Sequence, residues 1–168
     1  GASDIERVLR EYCERGFDLI VGDAFLAGEE PTRRVAKDYP NVAFAFGSEF
    51  GPQAPNYSVF DNYIHEPAYL CGIIAGRMTK TNTLGIVAAI PIAEVNRLVN
   101  AFKLGALSVN PKSKVKIAYI GGWFDPAKTK EAAMAQMEAG ADFIYAERFG
   151  VFEAAKELEA EGYDVLPI

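Results

Sequence analysis

Residues 83–120 read TLGIVAAIPIAEVNRLVNAFKLGALSVNPKSKVKIAYI, and the pattern of this stretch decides the fold. Thr83 to Ala88 is a short apolar run that predicts a strand. A long helix follows, with Val95, Leu98, Val99, Phe102 and Ala106 on one stripe at helical spacing. Asn110-Pro111 breaks that helix, and Lys114 to Ile120 predicts a second strand. Two strands joined through a helix of this length form a crossover unit, and crossover units build parallel sheets with right-handed connections.

The same alternation runs outward in both directions. Upstream, Ser3-Asp4-Ile5-Glu6 has the form of a capping box. Ile5, Val8, Leu9, Tyr12 and Cys13 then recur at helical spacing until Gly16 closes the helix. Phe17 to Gly22 is nearly all apolar and predicts a strand buried on both faces. Pro31 to Tyr39 is helical, with Pro31 suited to the first turn and Pro40 ending it. Val42 to Phe46 is a strand, Gly47 to Pro55 a Gly/Pro-rich loop and Tyr57 to Phe60 another strand. Pro67 opens a helix that reaches about Met78.

Downstream of the quoted stretch, Pro126 to Glu138 is a helix with Asp125 placed to cap it. Ala141 to Ala146 is a strand, Val151 to Glu161 a helix and Tyr163 to Ile168 a last strand. The fold class is therefore α/β, a doubly wound, mainly parallel arrangement. The polar turn Thr79-Lys80-Thr81-Asn82 is the natural place for a lobe boundary, dividing the chain into 1–81 and 82–168. No internal repeat or low-complexity stretch interrupts the pattern.

Composition narrows the function classes. Half of the 168 residues are apolar, enough for a substantial core, and the net charge is −6. Nucleic-acid backbones are bound through clustered Lys and Arg, and here the basic residues are scattered among carboxylates. No apolar run approaches the roughly 20 residues that span a bilayer. Gly1 to Glu6 lacks the basic start and apolar stretch of a signal peptide. Cys13 and Cys71 fall on apolar sides of helices and suit buried free thiols better than a disulfide. With one histidine and two cysteines, the chain offers a poor ligand set for zinc, and no cofactor is implied.

Open parallel sheets bind ligands at the carboxyl ends of their strands. The loops there carry no dinucleotide or phosphate-loop glycine pattern. Gly47-Ser48-Glu49-Phe50-Gly51 lacks the residue that a nucleophile elbow needs between its first Gly and the Ser. His65, the single histidine, suits helix capping or the surface. Asp23, Glu49, Asp61, Asp125 and Glu147 gather at strand ends, where paired carboxylates can do acid–base work; capping and hydrogen bonding account for them more simply.

What those loops do offer is aromatic. Phe25, Phe50, Tyr57 and Tyr63 lie around the first strand ends, and Trp123, Phe124 and Phe149 around the later ones. Trp123 sits in a Gly-Gly-Trp-Phe-Asp-Pro turn, where a large ring beside two glycines suits stacking on a flat ligand. Such stacking on a nucleobase contributes about 1–3 kcal/mol, and nearby carboxylates can accept hydrogen bonds from base N–H or ribose hydroxyl groups. For Phe124 and Phe149 core packing is the favoured reading.

Leu84 to Arg97, Asn100 to Ala106, Ser108 to Pro111, Trp123 to Lys128 and Gly140 to Tyr145 together resemble the basic membrane protein family, the purine-nucleoside receptor lipoproteins of bacterial ABC importers. Tyr69 to Gly76 resembles that family's helix leading out of the first lobe, with Cys71 in place of its usual small residue. The resemblance implies a type I periplasmic binding fold, two doubly wound lobes that close on a small solute. It implies an ABC permease as partner, and an extracytoplasmic location with any lipid anchor lying outside this chain. It also implies that a strand precedes residue 1 and that ribose-holding segments follow Ile168.

By the resemblance, Trp123 looks like the second-lobe stacking aromatic, while Asp23 and Phe25 sit in a first-lobe cleft loop. Asp61, Phe124, Asp125 and Glu147 complete the candidate ligand-binding set. Glu147-Arg148-Phe149-Gly150 departs from the family's pattern. The other readings are a binding protein for a different small solute, a sensor domain of the same fold and, on the carboxylates alone, a hydrolase.

Overall fold

A computed structural model describes residues 2–25 and 28–168, in two compact units, Gly1–Asn62 and Tyr63–Ile168. The first unit contains α1 (Ala2–Glu14), β1 (Leu19–Asp23), α2 (Glu29–Asp38), β2 (Ala43–Gly47) and β3 (Tyr57–Phe60). Its three strands are parallel, in the order β1-β2-β3. Because α1 begins at Ala2, Ser3 stands inside the first turn rather than ahead of it as a cap.

The core of this unit forms on one face of its sheet. Ile20, Phe44, Phe46 and Tyr57 point inward against Leu9 and Cys13 of α1 and Val35 and Ala36 of α2. Gly22 is required there, because a Cβ would lie 2.7 Å from the Phe46 ring. The expectation that the first strand is buried on both faces is corrected. Side chains alternate along a strand, and Leu19 and Val21, on the face away from α1 and α2, are 56% and 62% exposed. Phe60 of β3 is likewise exposed.

Polar groups fix the connections. The Thr32 hydroxyl meets the Gly28 carbonyl at 2.8 Å and the Tyr57 hydroxyl at 3.0 Å, all within the core. The Asn56 side-chain amide donates to the carbonyls of Ala36, Tyr39 and Val42, which ties the end of α2 to the strand that follows.

The second unit contains α3 (His65–Met78), β4 (Thr83–Ala88), α4 (Ala93–Val109), β5 (Lys114–Tyr119), α5 (Pro126–Glu138), β6 (Phe143–Ala146), α6 (Val151–Ala160) and β7 (Leu166–Pro167). Its strands are parallel in the order β5-β4-β6-β7. Here the doubly wound expectation is met in full. Val95, Val99, Phe102 and Ala106 of α4 and Ala68 and Ala75 of α3 pack with Leu84, Ile86 and Tyr145. Ala133 and Met137 of α5 and Val151, Ala154 and Leu158 of α6 pack with Val87 and Ile144 on the opposite face. Central strand β4 is buried from Leu84 onward.

Helices α3 and α4 touch backbone to backbone, which only glycine permits. A Cβ on Gly72 would lie 2.0 Å from the Phe102 carbonyl oxygen, and one on Gly105 would lie 2.0 Å from that of Tyr69. The turn after α3 is anchored by Asp142, a buried carboxylate that opens β6. It accepts from the Thr79 hydroxyl at 2.7 Å and from the backbone amides of Lys80 and Thr81 at 2.5 and 3.0 Å. The sequence reading places the lobe boundary at 81/82, within this turn, whereas the compact units divide ahead of α3, between Asn62 and Tyr63. Cys13 is buried and Cys71 half-buried, both as free thiols. Among the described residues no helix is long and apolar enough to cross a membrane.

Candidate functional site

In a parallel sheet every strand delivers its following loop to the same edge, so each unit gathers its strand-end residues. In the first unit β1 ends at Asp23, whose Oδ1 accepts from the Phe25 amide at 3.1 Å. This local turn sets the half-buried Phe25 ring beside Gly47, the last residue of β2. Asp61 follows β3 and is exposed. The fold thus brings Asp23, Phe25 and Asp61 to one edge.

A residue outside the candidate set organises that edge. Glu29 is buried near the start of α2. Its carboxylate accepts from the Ser48 hydroxyl at 2.9 Å and from the Glu49 amide at 2.8 Å. Arg33, one helical turn on, pairs with Glu29 at 3.3 Å and donates to Ser48 Oγ at 2.9 Å and the Gly51 carbonyl at 3.0 Å. Its guanidinium also lies over the Tyr57 ring, 4.7 Å from the centroid. The loop after β2 is therefore held by a charge-assisted network. Acidic residues at the start of a helix are the sequence signal for it, and dipole stabilisation is the usual reading of that signal.

In the second unit β4, β5 and β6 end side by side. Trp123 follows β5 and is 40% exposed. Asp125 acts as the N-cap of α5, its Oδ1 accepting from the Lys128 amide at 3.0 Å. Glu147 follows β6, with a side chain only 4% exposed. It accepts from the amide of Ala89, just past β4, at 2.9 Å. The core-packing reading of Phe124 and Phe149 is corrected: each is 73% exposed, and the rings meet edge-on with centroids 6.1 Å apart. Periodicity could not show this, since both rings lie in turns.

Arg148 was not among the candidates. Its Nε donates to Glu147 Oε2 at 2.9 Å, and its Nη2 contacts Glu147 Oε1. Its Nη1 donates to the Trp123 carbonyl at 3.0 Å, and the guanidinium lies 5.5 Å from the Trp123 ring centroid. The arrangement offers aromatic faces and hydrogen-bonding groups, the furniture of a small-solute site. Among the described residues no group of three or more His, Cys, Asp or Glu could hold a metal ion.

Comparison with known proteins places this architecture. The family model described as ABC transporter substrate-binding protein, PnrA-like, matches residues 1–166. The chain belongs to that family, the Bmp family, whose members are substrate-binding proteins of ABC transporters. A Haloferax volcanii protein, named provisionally as the ABC transporter glucose-binding protein TsgA13, is 40% identical over 87% of this chain and 37% of its own length. A purine-binding protein of Brucella abortus is 36% identical over 84% of this chain and 40% of its own. The ABC transporter nucleoside-binding protein BmpA of Lactococcus lactis is 30% identical over 95% and 46%. Among solved structures, a solute-binding protein of an ABC transporter system from Aeropyrum pernix aligns with a TM-score of 0.85 and 25% identity, over 99% of this chain and half of that one. The chain spans less than half the length of these three curated relatives.

Proposed function

We propose that this chain carries cleft residues of an ABC importer's solute-binding protein, and that the solute is a purine nucleoside or base. The observation that carries the reading is Trp123, a partly exposed indole at the carboxyl edge of a parallel sheet. Two of the relatives are named for purine or nucleoside binding. Phe124, next in the chain after Trp123, and Phe149, whose ring meets it edge-on, add exposed aromatic surface, and Asp23, Phe25 and Asp61 lie at the strand ends of the first unit. Asp125 and Glu147 act through the structure, one as a cap and one as a brace.

Capture needs no chemistry. Two lobes that sample open and closed forms are drawn to the closed one by a ligand that contacts both, and the closed form is what a permease recognises. The site of action is extracytoplasmic, on a protein that is either held to the membrane by a lipid anchor or free in the periplasm.

One observation favours a second reading. The relative at 40% identity is named for glucose, and an indole face also packs against the C–H face of a sugar. Calorimetric titration of the intact protein against adenine, adenosine, guanosine, inosine and glucose separates the two. Binding of a purine, weakened at least about tenfold in Trp123→Ala (about 1.4 kcal/mol), supports the purine reading. Binding of glucose alone transfers the site to sugars, and no binding to any of the panel sinks both.

A further inference from the structure

In the order β5-β4-β6-β7, the loops after β5 and β6 must cross the end of β4 to meet, and the side chains of Glu147 and Arg148 together make that crossing. Glu147 leaves β6 and is fixed to the end of β4 through the Ala89 amide. Arg148 is gripped by both Glu147 carboxylate oxygens and by the Glu147 carbonyl at 2.7 Å. With its fork so held, its Nη1 reaches the Trp123 carbonyl beyond β5, and its Cζ lies over the indole, 5.5 Å from the ring centroid. Gly121 and Gly122 precede Trp123, and neither would bring a Cβ within 4 Å of any other group. Those two positions therefore contribute no side-chain packing to the turn.

We infer that Arg148 is a positioning residue that fixes Trp123 for ligand binding, covering one face of the indole so that a flat ligand stacks on the other. This rests on the small-solute reading of the site. Arginine suits the task because its planar fork binds a carboxylate with two donors, stacks on an aromatic face and still has a donor free. Lysine keeps the charge opposite Glu147 but has neither plane nor fork. The ring is thus pre-organised, which spares a ligand the cost of ordering it.

The test uses intact protein labelled with 5-fluorotryptophan and observed by fluorine NMR, the Trp123 resonance being the one lost in Trp123→Phe. Arg148→Lys preserves the charge pair and so the fold, and Arg148→Gln removes the charge as well. Both are expected to shift and broaden the Trp123 resonance. Both should also weaken binding of whichever panel solute the parent protein binds, by about tenfold through lost pre-organisation. An unchanged resonance in Arg148→Lys, with unchanged affinity, overturns the positioning role. So does a fall in stability without any movement of that resonance. A parent protein that binds no panel solute defeats the solute assignment, while the resonance still decides whether Arg148 holds the ring.

Discussion

Replacing Gly72 with alanine adds one methyl group where α3 meets α4, and the structure sets its cost. The new carbon would lie 2.0 Å from the Phe102 carbonyl oxygen and 2.9 Å from the Ala106 amide nitrogen. Those two groups are i and i+4 partners in α4, so the methyl strikes a helical hydrogen bond. Neither is the end of a flexible side chain, and relief requires the helices to part. Overpacking a close-packed core costs typically 1–3 kcal/mol, and contact with backbone puts this site at about 3 kcal/mol. Alanine recovers about 1 kcal/mol of helix propensity over glycine. The net loss is about 2 kcal/mol, or roughly a 10 °C fall in Tm for a domain of this size. Urea denaturation followed by far-ultraviolet circular dichroism measures it, with Gly51→Ala as a control because nothing lies within 4 Å of that Cβ. A Gly72→Ala protein as stable as its parent, or more stable, would refute the close crossing.

Other perturbations test other parts of the argument. Asp142→Ala removes the acceptor for three donors in the turn after α3, and should cost about 2 kcal/mol in urea denaturation. Asp125→Ala should cost about 1 kcal/mol, the worth of an N-cap. Its effect on solute affinity should stay within about twofold, and a larger loss in calorimetry would show that Asp125 touches ligand. Burial pushes the Tyr145 phenol up from 10 to about 12, with Cys71 and Glu147 adding to the shift. A raised folded-state pKa means stability that is whole below pH 10 and is lost as pH climbs towards 12. Tyr145→Phe should remove that part of the alkaline loss, read as the slope of stability against pH in this window.

Much of the fold was legible because its signals are local. The stripe Val95, Leu98, Val99, Phe102 and Ala106 became the buried face of α4, and Asp125-Pro126 opened α5 as its chemistry requires. The strands Tyr57–Phe60 and Thr83–Ala88 fell where their apolar runs lie. What failed was not local. Phe17 to Gly22 and Thr83 to Ala88 are similarly apolar, yet one strand is covered on one face and the other on both. That difference is decided by where distant helices pack. The candidate site was read as a set of strand ends, with Trp123 singled out by its glycines, and the fold places those residues at the carboxyl edges of the two sheets. Phe124 and Phe149 were misjudged because a turn has no period from which to read burial. Arg148 stayed hidden because the two residues it links, Glu147 and Trp123, follow two different strands, a geometry that sequence spacing does not encode.

The open face of the first sheet has a thermal consequence. Heat capacity rises on unfolding because apolar groups become hydrated, and Leu19, Val21 and Phe60 are already wet in the folded unit. They add little to that rise, so the first unit should unfold with a smaller heat-capacity increment than its apolar content suggests. Any segment or partner laid over these three side chains would dry them and raise the increment. Scanning calorimetry can therefore sense a cover on this face before its identity is known.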